Sequence, residues 1–422
     1  MYPTPHRTTM TTRLLSAIAM LATLAALPAH GALDDKLLAA ARAAQPAVIE
    51  SLREMVAIES GTMDAPGISK MADYAERRLK SLGLQVDRRK AAVGNGEVLV
   101  GQLAGTGKRK LMLIAHMDTV YWPGTLDKQP FKQDGNKLYG PGIADDKGGI
   151  AVILHALAIL KQAGWQDYAR LTVLFNGDEE SGSAGSGEAI ASLGAEQDVV
   201  LSYEPTAAMD PGVLLAAAGV SSISMTVKGR ASHAGAAPDV GRNALVEASN
   251  IVLQTADIAK TIPGAQLNWT TLKAGNVRNQ IPELAEAGAD VRLTATDAAD
   301  KLMAALRSKA ASSKKVPDTE VSFAFYLGRP PFVGDARTLA LAKKAQAIHA
   351  ELGAPKPLSI HPGTGGGTDA GFAAQSGKAV VLESLGLPGW GYHAKDEYID
   401  MDAIVPRLYL STRLLMDLGK GD

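Results

Sequence analysis

The run "LMLIAHMDTVY" (residues 111–121) is mostly aliphatic as far as Ala115, then turns to a histidine, His116, and two places later to an aspartate, Asp118. An unbroken apolar run of this length reads as a strand buried on both faces, and its polar ending implies that the carboxyl end of the strand meets something other than core. Three further runs share the texture: "LTVLF" (171–175), "VVLSY" (199–203) and "AVVLE" (379–383). Between the first two lies "GGIAVILHALAILKQAG" (148–164), apolar on most faces and bounded by glycine, which predicts a buried helix. Strands alternating with helices predict an α/β fold, a mixed and mainly parallel sheet with helices on both faces.

The chain between residues 218 and 329 has a different texture. "VSSISMTVKG" alternates like a half-exposed strand, "RNALVEASNIVLQTADIA" has helical spacing, "LNWTTLKAGN" and "AEAGADVRLTA" read as strands, "ADKLMAALRSKAASS" as a helix and "EVSFAFYLG" as a strand. The order βαββαβ is that of a ferredoxin-like α+β unit. Because "AVVLE" resumes the buried-strand pattern afterwards, this unit is predicted to be an insertion, residues 218–329, in a catalytic domain formed by 32–217 and 330–422.

Residues 1–31 stand apart. Arg7 and Arg13 precede "LLSAIAMLATLAAL" (14–27), and Ala29-His30-Gly31 supplies small residues where a signal peptidase reads, so a cleaved secretory signal and a periplasmic or secreted protein are expected. Fourteen apolar residues are too few to span a bilayer, so no membrane association is expected after cleavage. A net charge of −1 gives no broad basic surface for nucleic acid. The chain has no cysteine, which excludes thiolate metal sites and thiol nucleophiles. Any metal must then sit on His, Asp and Glu, a donor set that suits zinc or a neighbouring divalent ion.

Ligands of open α/β sheets bind beyond the carboxyl ends of the strands. Those ends carry His116 and Asp118, then Asp178, Glu179 and Glu180, then Glu204; Asp145 and Asp146 sit in the loop entering the predicted helix, and His393 follows the fourth strand. So many carboxylates at one edge would repel one another unless cations lay among them. A divalent cation, or two sharing a bridging carboxylate, resolves the conflict; with two, His116, Glu204 and bridging Asp145 would serve one, and His393, Glu180 and the same Asp145 the other. Asp118 would accept the second ring N–H of His116, and Glu179, barred by strain from the ion its neighbour binds, would serve as general base. His155 and His349 read as structural, and His361 is the alternative to His393 as a ligand.

At these residues the chain resembles a known family. "HMDTV", "YGPGIADDKGG", "FNGDEE", "SYEP", "GRASHAGAAP" and "GTGGGTDA…ESLGLPGWGYHAKDEY" are similar to the motifs of the dizinc amidohydrolases, the family of carboxypeptidase G, the aminoacylases and succinyl-diaminopimelate desuccinylase. The likeness is greatest to its carboxypeptidase G, or bacterial glutamate carboxypeptidase, branch. It implies two zinc ions on His116, Asp145, Glu180, Glu204 and His393, with Glu179 as base and Asp118 as orienting residue. It further implies that His233 stabilises the oxyanion, often across a dimer interface, and that Asn279 and Arg292 hold the terminal carboxylate of the substrate. Where close relatives carry a lysine for a glutamate side chain this sequence has Gly212, which leaves Arg329 as the expected partner for that carboxylate. The implied activity is release of a C-terminal amino acid, glutamate foremost, from N-acyl or peptidyl substrates, folate-type ones among them, by a homodimer. Its alternatives are an aminoacylase or dipeptidase on the same scaffold and, more remotely, a non-catalytic periplasmic binding protein.

Overall fold

The computed structural model describes residues 33–421, so the leader read from residues 1–31 lies outside the described residues. Six strands form the central sheet, in the order Gln85–Lys90, Glu97–Ala104, Arg170–Asn176, Lys110–His116, Val199–Ser202 and Val380–Leu382. The last four are mutually parallel, and the first two add an antiparallel edge. Alternate side chains explain why the four runs are apolar throughout. Leu111, Leu113, Val173, Leu201 and Leu382 enter one core, beneath helices Asp35–Val56, Lys147–Gln162 and Ile404–Lys420. Met112, Ile114, Leu174, Val200 and Val381 enter the other, against the short helices Gly187–Gly194 and Ala370–Ala373.

The buried helix begins at Lys147 because the Asp146 side chain caps it, accepting from Gly149 N at 3.1 Å. It stops at Gln162, two residues before the glycine that bounds the sequence pattern.

Residues 219–329 build a second sheet, antiparallel throughout, in the order Ala265–Ala274, Leu284–Leu293, Gly219–Lys228, Glu320–Arg329. Helices Ala244–Thr255 and Ala298–Ser312 cover one face, with Ile223, Val291, Leu302 and Leu306 in one core and Met225, Val227, Ala248 and Ile251 in another. The opposite face is open. The chain leaves and re-enters the larger unit through paired segments, Ala216–Ala217 against Phe332–Val333, so both joints sit side by side.

His155 is buried, its Nε2 2.9 Å from Ser51 Oγ, to which Arg78 also donates. Burial, with the Arg78 charge beside it, pushes this imidazole from 6.5 down to about 4. His349 is pushed to about 4 by burial and Arg407. Both are neutral in the folded chain yet free to protonate when unfolded. Their contribution is therefore complete above about 6.5 and is lost as the pH falls toward 4. Thermal melts between pH 7 and 4 should show Tm falling through that window, and His155→Gln should flatten the fall; an unaltered slope would contradict the assignment.

Candidate metal centre

Each strand end delivers one part of the site. His116 is the last residue of its strand, Glu179 and Glu180 open a short 3-10 turn after Arg170–Asn176, and Glu204 lies two residues past Val199–Ser202. Asp145 sits in the loop before the buried helix, and His393 in the loop between Gly389–Trp390 and Tyr398–Asp400. The Asp145 carboxylate divides between the two imidazoles, Oδ1 lying 2.9 Å from His116 Nε2 and Oδ2 3.2 Å from His393 Nε2. Glu204 Oε1 is 3.7 Å from His116 Nε2, and Glu180 Oε2 is 3.2 Å from His393 Nε2.

These separations suit a shared cation on each side of Asp145. Tetrahedral ligands ~2.0–2.1 Å from zinc stand ~3.3 Å from one another, close to the spacings between these donors. Glu180 Oε1 is buried with no hydrogen-bond partner, a need that a cation held in the cluster would meet. Two overlapping sets, His116 with Asp145 and Glu180 and His116 with Glu179 and Glu204, have ligand atoms within 4.8 Å of one another. Of the histidines weighed as ligands, His393 joins the cluster. His361 does not: its Nε2 faces Asp210 O at 3.2 Å.

Charge in the cluster is balanced by protons wherever cations do not do so. Burial pushes Glu204 and Glu179 upward, and Glu180 up to about 7. Hydrogen bonds to Asp145 and Glu180 hold His393 protonated to about 10. Asp145 goes the other way. Its burial favours the neutral acid, but hydrogen bonds from His116 and His393 outweigh that and keep it below the usual carboxylate range.

Asp118 faces both His116 and the turn that carries Glu179 and Glu180. His116 Nδ1 lies 3.0 Å from the Asp118 backbone carbonyl and 3.4 Å from its carboxylate. The carboxylate also accepts from Glu179 N and Glu180 N, each at 3.1 Å, and from Thr62 Oγ1 at 2.7 Å, so it fixes the turn that carries both glutamates. Asp146 likewise accepts from His116 N at 3.2 Å.

The residues expected to meet substrate divide into two groups. A cleft of about 880 Å³ is lined by Asp145, Glu179, Glu180, Glu204 and His393 on one side and by Asp290, Arg292 and Tyr326 of the second sheet on the other. Arg292 already forks onto Asp290, at 3.0 Å and 3.2 Å. His233 and Asn279 are near one another but line no part of this cleft: Ser232–His233 pairs with Gln280–Ile281, and Ala234 N donates to Asn279 O at 2.9 Å. His233 Nδ1 accepts from Gly235 N and Ala236 N, which leaves Nε2 as the donor. Gly212 also lies outside the cleft lining, and a Cβ there would meet the His361 ring at 2.4 Å, so the ring fills the space where a longer side chain would begin. Arg329, expected to face the substrate, lines this cleft too, with its guanidinium on Glu179.

Glu397 escaped the sequence reading. Its buried carboxylate accepts from Gly142 N, Ala144 N and Asp145 N at 2.7, 2.8 and 3.0 Å, and from Tyr121 Oη at 2.8 Å. It thereby ties the loop that presents Asp145 to the strand that follows His393. The only signal was an acid four places after that histidine. Removing such a supporting group typically lowers metal affinity ~10–100-fold. Competition against a chelating dye should show that loss for Glu397→Ala with little change in the far-ultraviolet spectrum; unchanged affinity would contradict the role.

Over 423 residues, covering all of both chains, the sequence is 47% identical to carboxypeptidase G2 of Pseudomonas sp. strain RS-16. It is 29% identical to acetylornithine deacetylase of Myxococcus xanthus over 56% of this chain and 64% of that one. Among solved structures, aminopeptidase PepT of Bacillus cereus superposes with a TM-score of 0.72 at 18% identity, covering 89% of this chain and 98% of that one. The YXEP protein of Bacillus subtilis, described as a dinuclear metal binding peptidase, gives 0.65 at 16% identity over 89% and 99%. Likeness at such identities speaks for the fold alone. The pattern of Peptidase family M20/M25/M40 matches residues 112–417, and together with the full-length identity this establishes that the chain belongs to that peptidase family.

Proposed function

We propose that the chain is a zinc-dependent carboxypeptidase that releases a C-terminal amino acid, glutamate foremost, from N-acyl or peptidyl substrates, folate-type ones included. The observation that carries this reading is the pairing of a divided carboxylate, Asp145 between His116 and His393, with a buried acid, Glu179, held beside it by Asp118. His116, Asp145 and Glu204 would hold one zinc ion, and His393, Glu180 and Asp145 a second. Such ions supply Lewis acidity, polarising an amide carbonyl and making water reactive near neutral pH.

The residues of the chain do the rest. Glu179 takes a proton from the attacking water and returns it to the departing amine, a role its burial supports by raising its proton affinity. Arg292 grips the terminal carboxylate through the N–H groups that Asp290 leaves free. We read residues 32–217 and 330–422 as the metal-bearing domain and 218–329 as a lid that also pairs two chains. His233 and Asn279, outside the cleft of their own chain, would then complete that of a second copy, His233 Nε2 donating to the developing oxyanion. Export to the periplasm rests on the leader alone; no helix of the described residues is long and apolar enough to cross a membrane.

An aminoacylase or dipeptidase on the same scaffold is retained as a second reading because nothing at Gly212 can read a glutamate side chain. A binding protein without catalysis would have no use for Glu179 beside the metal ligands. Chelation should abolish hydrolysis of N-acyl glutamates and zinc should restore it, while Glu179→Gln should keep its metal and lose ~10²–10⁴-fold in kcat. Full activity in that variant, or in metal-stripped protein, would refute the mechanism; faster turnover of acetylated neutral amino acids would favour the second reading.

A further inference from the structure

Arg329 closes the last strand of the inserted sheet, opposite Val220. Its guanidinium turns away from that sheet and is buried, only 5% exposed, among residues of the catalytic side. Nη1 donates to Glu179 Oε1 at 2.5 Å and to Gly367 O at 2.6 Å. Nη2 donates to the backbone carbonyl of Glu179 and reaches Ser183 Oγ at 3.5 Å. One side chain therefore holds both ends of the same glutamate. A buried guanidinium is tolerated only where acceptors and a counter-charge meet it, and here both come from the turn that carries the base.

The glycine-rich loop is shaped to this contact. A Cβ on Gly367 would stand 2.7 Å from Val220 Cγ2, 3.0 Å from Ala218 O and 3.1 Å from Arg329 Cδ, so only glycine brings its carbonyl so close to the guanidinium. The same loop returns to the base turn through Asp369, which accepts from Ser183 Oγ and from Asn176 Nδ2, the latter at 2.8 Å. Three segments far apart in sequence, around residues 179–183, 329 and 367–369, thus form one hydrogen-bonded knot beside the metal centre.

We propose that Arg329 is the positioning residue of Glu179: it fixes one carboxylate oxygen and the backbone carbonyl, leaves the second oxygen for the proton transfers, and couples the orientation of the base to the seating of the inserted sheet. The proposal rests on the reading of Glu179 as general base. It differs from the expectation that Arg329 meets a substrate side-chain carboxylate: the residue borders the cleft, but both terminal nitrogens are turned to Glu179, and only Nε is left without a partner. A lysine could not replace it fully, because an ammonium lacks the planar fork that spans the two acceptors.

The test uses the full, metal-loaded chain as wild type, Arg329→Lys, Arg329→Gln and Arg329→Ala, with N-acyl glutamate and N-acyl alanine as paired substrates. Misplacement of a reacting group by about an ångström is worth ~100-fold, so Arg329→Gln should lose about that factor in kcat on both substrates. KM should stay within about threefold, which marks the loss of an interaction that acts on the chemical step rather than on binding. Arg329→Lys should fall between, and added methylguanidinium should partly restore Arg329→Ala. Loss confined to the glutamate substrate, with KM raised and kcat kept, would make Arg329 a substrate reader and overturn the proposal. Hydrogen exchange gives a readout independent of turnover: the amides of residues 179–183 should exchange faster in Arg329→Gln than in wild type. If wild type hydrolyses neither substrate, the functional reading fails by itself, and the exchange comparison still decides this proposal, equal rates overturning it.

Discussion

The structure depends on the crowding of buried carboxylates around two imidazoles at the carboxyl ends of parallel strands. Asp118, Asp145, Asp146, Glu179 and Glu397 are all buried within the loops that meet there. Carboxylates withdrawn from water repel one another and favour protonation, and burial pushes most of this group in that direction. Two states resolve the conflict: protons shared with the histidines, or cations in their place. The division of Asp145 between His116 and His393 fits the second, because one bridging carboxylate then serves two positive centres.

That arrangement explains much of the surrounding hydrogen bonding. Acids at the rim act as struts, each accepting backbone N–H groups from a neighbouring loop. Asp118 steadies Glu179 and Glu180, Glu397 steadies Asp145, and Asp178 gathers Gly185 N and Ser186 N behind the turn that carries Glu179. Arg407 does similar work without a carboxylate. Fully buried on the C-terminal helix, it donates to Ser384 O, Thr206 Oγ1 and Gly212 O, joining the loops that follow the third and fourth parallel strands. The rigidity this confers suits a centre whose ligands must hold their places.

The parts legible in the sequence are those with a strong period or a strong chemical incongruity. Strands such as Lys110–His116 declared themselves because both faces are buried, and the inserted sheet because its strands alternate against two amphipathic helices. His116, Asp145, Glu180, Glu204 and His393 stood out as polar groups at strand ends and loops, and the structure gathers all five. What escaped was long-range and carried no local pattern. Nothing near Arg329 signals that its partner lies 150 positions earlier, and Glu397 looks like an ordinary surface acid until the loop folds back on Gly142–Asp145. Position 212 was legible only as the absence of an expected lysine; the His361 ring beside it comes from a distant strand paired with it, which no local pattern shows.

The central claim is that Asp145 holds two cations at once. Elemental analysis of zinc-loaded protein, wild type beside Asp145→Asn, tests it most directly. The account predicts two zinc ions per chain in the wild type and the loss of at least one in the variant, with the fold intact by circular dichroism. A variant that keeps the full complement, or a wild type that holds fewer than two, would contradict it.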